Sequence, residues 1–533
     1  MTFQEIDRVI QAHLSDLKKP NVVAVRPGYK FTGRWITRKP AIVVIVDRKR
    51  DVSAADSVPS KLDGIAVDVR EATPLQRLHH TDPIRHAILT ASVGPDLVEP
   101  EFPYERDVVT GRLFSDMSQA ALIPESEEAA RQRKPELDYQ PPGVPLAVVN
   151  DVASLTCSAS PDAGWTVLRK FLLGAQGRIT AAMYDFTSSH ILQTVEEALE
   201  GTKLMALVLD RPPEHKSQDD ETLASLSARL GNRIESAWAL VRSNPKVAEW
   251  IFPTAYHIKV AVRDGSSVWL SSGNWNDTNQ PDVPAGANPG DVPRSVLSHS
   301  DRDWHVIVEN SAIATTFEQY IKNDFAVAAQ NQTVAGAAEA ESPQIPDSEL
   351  TAAFEVPSPI PTQFFAPEQF SQQPMTIEPL LTPDNYAPAM LRLIQSASQK
   401  LYMQLQYIHP STRDGDDVFR SLISAVVDKT RAGLDVRIIV HAREAGSGGL
   451  ERLQEAGLDM SLVKIQGGVH NKGFIVDSAV VAVGSHNWSA DGTLRNRDAT
   501  LIIHHAGAAR YFEKIFLHDW TTMASQTTET DSI

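Results

Sequence analysis

The chain runs to 533 residues with 67 acidic and 50 basic side chains, and its net charge of −17 argues against a non-specific nucleic-acid binder. Its 42% hydrophobic and 22% charged content is that of a globular protein with buried cores, and the length predicts several domains. Cys157 stands alone, which excludes an internal disulfide and cysteine-rich metal sites, and no apolar run is long enough to span a membrane.

Met1 to Asp7 lack the basic and apolar regions of a secretory signal, so a cytoplasmic location is expected, with signal-independent export left open. Phe3, Ile6, Val9, Ile10, Leu14 and Leu17 then share one helical stripe. Short β-rich runs follow at 22–25, 41–46 and 65–69, parted by turn residues such as Pro27 and Gly28. Together they predict a small α+β domain over residues 1–75. Residues 76–145 lose periodicity around Pro124, Arg131 to Lys134 and Pro141, which reads as an extended polar linker.

Residues 146–325 form a first unit. Trp165, Leu168, Phe171 and Leu172 mark a helix, 179–186 a strand, 190–199 a helix and 204–209 a strand. Residues 326–375, rich in Ala, Gln, Ser and Pro, read as a linker centred on Pro357 to Pro361. A second unit, 376–522, repeats the order: a helix opened by Pro388, then strand 401–408, helix 418–427 and strand 436–440. A polar tail, 523–533, ends the chain. Strands alternating with helices predict an α/β fold whose mixed sheets are covered on both faces.

Each unit carries the pattern His-x-Lys-x4-Asp-x6-[Gly/Ser]-Ser-x-Asn. The first copy is His257, Lys259, Asp264, Ser271, Ser272 and Asn274; the second is His470, Lys472, Asp477, Gly484, Ser485 and Asn487. Tryptophan follows both, as Trp275 and Trp488, with packing and substrate contact as equal alternatives. In an extended strand, residues two apart share a face, so each His stands beside its Lys. Downstream of each copy an acid precedes an apolar strand, at Asp303 and Asp498. A phosphodiester resists attack because its oxygens are anionic, and cations aimed at them stabilise the transition state. Lys259 and Lys472 supply two positive charges, with Asn274, Asn487, Ser272 and Ser485 as neutral donors. One neutral imidazole can attack phosphorus while an imidazolium protonates the leaving oxygen. Asp264 and Asp477 suit a structural place at turns better than a chemical one. No carboxylate cluster resembles a divalent-metal site, and no cofactor is expected.

The double motif resembles that of the phospholipase D superfamily, over about residues 150–522. The resemblance implies two phospholipase D-like α/β/α units packed about a pseudo-twofold axis, with a phosphohistidine formed at one shared site. It implies that Asp303 and Asp498 hold the imidazoles from behind. We assign attack to His257 and acid–base work to His470. Ser271 departs from the usual glycine. The expected activity is metal-independent hydrolysis of a phospholipid head-group diester, with a peripheral membrane contact left open. The alternative is a nuclease of the same chemistry, acting on DNA or RNA, for which Arg294, Arg302, Arg495 and Arg497 are the nearby basic residues. A silent phosphate-binding scaffold is the third reading, and both intact motifs argue against it. The loop from Trp275 to Arg302, with Pro281, Val283, Val292 and Leu297, is expected to offer apolar surface to a lipid. Head group, oligomeric state and the role of residues 1–75 are left open.

Overall fold

The structure is a computed structural model that describes residues 1–32, 35–50, 52–53, 56–82, 86, 102, 104–114, 139–210, 216–244, 247–250, 252, 255–332, 358–445 and 448–525. Pro124, Arg131 to Lys134, much of the second expected linker and most of the tail lie outside these residues.

Near the N-terminus, a capping box of Thr2 and Glu5 starts helix Phe3–Ala12, which buries Ile6 and Ile10. A one-turn helix, Leu14–Leu17, follows. Five strands form a sheet: β1 (Val22–Thr32), β2 (Trp35–Val46), β3 (Lys61–Leu62), β4 (Ile65–Glu71) and β5 (Arg106–Asp107), in the order β3-β4-β2-β1-β5. β5 and the buried Phe102, Val108 and Phe114 bring part of the expected first linker onto this sheet. Their apolar side chains are too far apart in sequence to show a period, which hid them. The sheet docks on helix Gly449–Glu455, where buried Arg26 and half-buried Arg70 converge on buried Glu451 at 3.3 Å and 2.5 Å.

The remaining strands form one large mixed sheet and a separate hairpin. In chain order they are β6 (Val149–Ser160), β7 (Arg178–Met183), β8 (Leu204–Leu209), β9 (Ile234–Trp238), the hairpin β10 (Leu240–Asn244) and β11 (Val247–Trp250), β12 (Val260–Arg263), β13 (Ser267–Ser271) and β14 (Asp303–Glu309). Then come β15 (Glu368–Leu381), β16 (Lys400–Leu405), β17 (Asp435–His441), β18 (Val463–Gln466), β19 (Lys472–Val476), β20 (Val480–Gly484) and β21 (Ala499–His504). The sheet order is β18-β17-β16-β19-β20-β21-β15-β6-β14-β13-β12-β7-β8-β9. From the central β15–β6 pair outwards, both halves run through the same sequence of partners. Only the outer three strands of each half are parallel to one another.

The mixed α/β class expected from the sequence is what the structure shows. Strand alternation sorts the side chains. Ala182, Val260, Tyr402 and Ile475 face one core with Phe317 and Phe512, which come from helices Ser311–Gln332 and Ala506–His518. Ala181, Met183 and Ala261 face Leu168 and Val195 in a second core; Leu401, Met403 and Phe474 face Met390 and Leu422 in a third. The stretch 326–375 is less of a linker than its composition suggests. Helix Ser311–Gln332 runs into it because Phe317, Tyr320, Ile321 and Ala328 keep one buried stripe. β15 begins at Glu368, because pairing with β6 and β21 decides the conformation of a Gln-rich segment of poor intrinsic preference.

Candidate active site

His257 leads into β12 and His470 into β19, and the segment before each lies along the acid-bearing segment of the other copy. Tyr256 bridges to Arg497, and Val469 to Arg302. The Arg497 N–H donates to the Ala255 carbonyl at 2.9 Å, and the Arg302 N–H to the Gly468 carbonyl at 2.6 Å. This exchange crosses the acids over. His257 Nδ1 lies 2.8 Å from Asp498 Oδ1, and His470 Nδ1 lies 3.0 Å from Asp303 Oδ1. Each histidine thus meets the carboxylate of the other copy.

A serine stands behind each acid. Ser272 Oγ donates to Asp303 Oδ1, and Ser485 Oγ to Asp498 Oδ1, both at 2.6 Å. The same hydroxyls accept the Trp304 N–H at 3.0 Å and the Ala499 N–H at 3.1 Å. The two ammonium groups fold back along their own motifs. Lys259 Nζ donates to the His257 carbonyl at 2.6 Å and lies 5.1 Å over the Tyr184 ring. Lys472 Nζ donates to the His470 carbonyl at 2.5 Å and lies 3.0 Å from His470 Nε2. Asn487 is buried with neither amide atom hydrogen-bonded among the described residues, and Asn274 Oδ1 is in the same state. Two buried amides left so in native structure are where a ligand is expected.

Residues 390–520, which include the second copy of the motif, match the family "Cardiolipin synthase, PLD-like domain". Two curated proteins called "Phospholipase D", from Rickettsia felis and Rickettsia conorii, are each 26% identical over 129 residues, 24% of this chain and 58% of theirs. The chain thus carries a phospholipase D-like domain over residues 390–520. It spans little more than half the length of those relatives. Among solved structures it is similar to a phosphatidylserine synthase of Haemophilus influenzae Rd KW20, at 12% identity over 69% of this chain and 86% of that one, with a TM-score of 0.45. It is also similar to Nuc from Salmonella typhimurium, at 19% identity over 28% of this chain and 96% of that one, with a TM-score of 0.23.

Burial and the charges of Lys472 and Lys259 push the His470 imidazole down to about 4 against the pull of Asp303. It is neutral near pH 7. Burial raises the Asp303 carboxyl, but His470 and Lys472 outweigh it and bring it to about 2. Asp498 is lowered likewise, with His257 and Lys259 opposing its burial.

The structure also places the remaining motif residues. Ser272 and Ser485 are engaged with the two acids rather than presented as donors to an anion. Asp264 and Asp477 sit at the far turns of β12–β13 and β19–β20. Asp264 accepts the N–H groups of Gln176, Gly177 and Arg178, and Asp477 those of Ser398, Gln399 and Lys400. They tie a turn to the neighbouring chain. Trp275 and Trp488 are fully buried packing residues, against Phe186 and Phe474. Val283, Val292 and Leu297 of the long loop are buried in their own cluster beside Ile360 and Phe364, so they offer no open apolar surface.

Ser271 has a structural reason. Its Oγ lies 2.7 Å from His305 Nδ1, whose Nε2 lies 2.9 Å from Ser160 Oγ. In the second half the equivalent imidazole comes from the motif itself: His486 contacts Thr500 Oγ1 at 2.8 Å and the Thr382 hydroxyl. A Cβ at Gly484 would run into Thr500, and one at Gly273 would meet Asp303 Oδ2 at 2.7 Å. One imidazole thus fills each space from a different chain position.

Three of the four arginines near the motifs are structural. Arg302 is buried between Asp162 at 2.7 Å and Asp519 at 2.9 Å; Arg497 is buried between Asp324 and Asp384, both at 2.8 Å. Arg495 pairs with Asp416 at 2.5 Å. Ser160-Pro161-Asp162 and Thr382-Pro383-Asp384 are a second repeated sequence signal, which would have found two of these acids.

Proposed function

We propose that the chain is a phosphodiesterase of phospholipase D type that releases the head-group alcohol of a phospholipid through a phosphohistidine intermediate. In this reading residues 146–325 and 376–522 are two repeats about a pseudo-twofold axis, each supplying half of one site. The crossed pair of contacts, His257 with Asp498 and His470 with Asp303, is the observation that carries it. With Nδ1 engaged by Asp498, the Nε2 lone pair of His257 attacks phosphorus, the bond to the head-group oxygen breaks, and His470 gives that oxygen its proton. Water then attacks phosphorus, His470 takes a proton from it, and the phosphorus–nitrogen bond breaks. His470 suits the acid–base role because its side chain is 12% exposed against 1% for His257, so the alcohol leaves and water enters on its side. A phosphodiester anion between Lys259 and Lys472 offsets their charge, which lets His470 hold a proton that it refuses in the empty site. Asn274 and Asn487 bind the non-bridging oxygens.

A lipid is favoured over nucleic acid because three of the four arginines near the motifs are committed to carboxylates. A groove for a polyanion has few cations left to use. The test is turnover of phosphatidylcholine, cardiolipin and single-stranded DNA side by side, by wild type and by His257→Asn and His470→Asn. Each variant should be inactive yet folded. Retention of more than about a tenth of activity by either variant contradicts a shared site. Efficient DNA cleavage with no head-group release hands the case to the nuclease reading.

A further inference from the structure

The two half-sites differ at one place that the proposed chemistry leaves unused. Phe186 bridges to Trp275 and Ile408 to Trp488, so Tyr184 and Gln406 are equivalent positions. In the first half the Tyr184 ring stands edge-on to His257 at 4.9 Å and beneath Lys259. In the second half the Gln406 N–H donates to the Asn471 carbonyl at 2.8 Å, between His470 and Lys472 in the chain. Its own carbonyl accepts the His441 N–H at 3.0 Å. Gln406 is 5% exposed, and its side-chain oxygen has no hydrogen-bond partner among the described residues. Gln466 lies opposite His441 in the next strand, is 3% exposed, and has the same unsatisfied oxygen. Gln406, His441 and Gln466 therefore lie side by side at the carboxyl ends of β16, β17 and β18. Crevices at such strand ends are where open α/β sheets take ligands. A buried acceptor without a donor is costly unless something fills it.

We infer that Gln406, with Gln466 behind it, is a specificity-determining residue that accepts a hydrogen bond from a donor on the leaving alcohol of the substrate. This rests on the phospholipase reading, in which that alcohol departs on the His470 side. The preferred head group then bears a hydroxyl or ammonium group, as glycerol and ethanolamine do. Choline, whose nitrogen carries four carbon substituents and no hydrogen, leaves the oxygen of Gln406 unsatisfied.

The experiment compares kcat/KM for phosphatidylglycerol and phosphatidylcholine in wild type and Gln406→Met. Wild type should favour the glycerol lipid, and the substitution should lower the ratio about tenfold, the effect of one hydrogen bond left unmade. Gln406→Glu keeps size and acceptor and adds charge. It should raise the ratio for phosphatidylethanolamine over phosphatidylcholine, and it carries the test alone if Gln406→Met does not fold. Unchanged ratios in a folded, active variant overturn the inference and leave the phospholipase reading standing. A wild type that releases no head group from any of these lipids overturns both.

Discussion

Asp303→Asn isolates the crossed contact. The carboxylate is fully buried, accepts from Ser272 Oγ at 2.6 Å, and faces His470 Nδ1 at 3.0 Å. Asparagine keeps the shape but removes the charge and turns one acceptor into a donor. A hydrogen bond to a charged group contributes about 1.5–3 kcal/mol. At 1.36 kcal/mol per decade, kcat/KM should fall roughly 10- to 100-fold. The new amide can also donate to Nδ1 and drive the proton to Nε2, which deepens the loss. Turnover of a small soluble diester at pH 7 measures the rate, and nitrogen-15 spectra of the histidines show which ring responds. The His470 resonances should move and those of His257 should stay. A loss under about threefold, or a response at His257 instead, refutes the crossed assignment.

Stability should fall with pH in a defined window. Burial lowers His305 and His470 to about 4 and His486 to about 3, from 6.5. Below pH 6.5 the unfolded chain takes up protons that the fold refuses, so their contribution is full above 6.5 and lost as pH falls towards 4. Each costs about 1.4 kcal/mol per pH unit there; urea midpoints that stay flat from pH 7 to 4.5 contradict it. Arg302→Met strands the buried Asp162 and Asp519 and should destabilise the fold by about 3–5 kcal/mol in urea titration; a change below about 1 kcal/mol would mean the pair is not buried as described. Because two lysines stand where cations are needed, turnover should survive EDTA, and a loss restored by a divalent ion refutes that chemistry.

The motif residues were legible because both copies keep the same spacing, and spacing along a strand fixes which side chains share a face. The strands around them were legible for a similar reason: 204–209 is apolar enough to be read without its neighbours, and the structure places β8 there. β15 was not. Gln369, Ser371, Gln372 and Gln373 carry no strand signal, and only pairing with β6 and β21 makes that segment extended. Arg302 and Arg497 failed for a different reason. A sequence shows charge but not its partner, and the partners here are Asp162 and Asp384, just past the ends of β6 and β15, and Asp324 and Asp519 in distant helices.

The same limit hides the relation between the histidines at 305 and 486. Read singly, one sits in an apolar strand and the other at a variable motif position. In space they do one job, each bridging two hydroxyl groups beside an acid-bearing segment. A small residue is then needed wherever the imbalance would crowd: glycine at 273 beside Asp303 in one half, glycine at 484 beside Thr500 in the other. Ser271 is therefore the partner that a histidine at 305 requires, and not a weakened motif. The two halves keep the filled volume and its hydrogen bonds while exchanging the residues that supply them. The unequal positions that this compensation leaves unexplained, Tyr184 against Gln406 foremost, are where a site built on a repeat can tell one side of its substrate from the other.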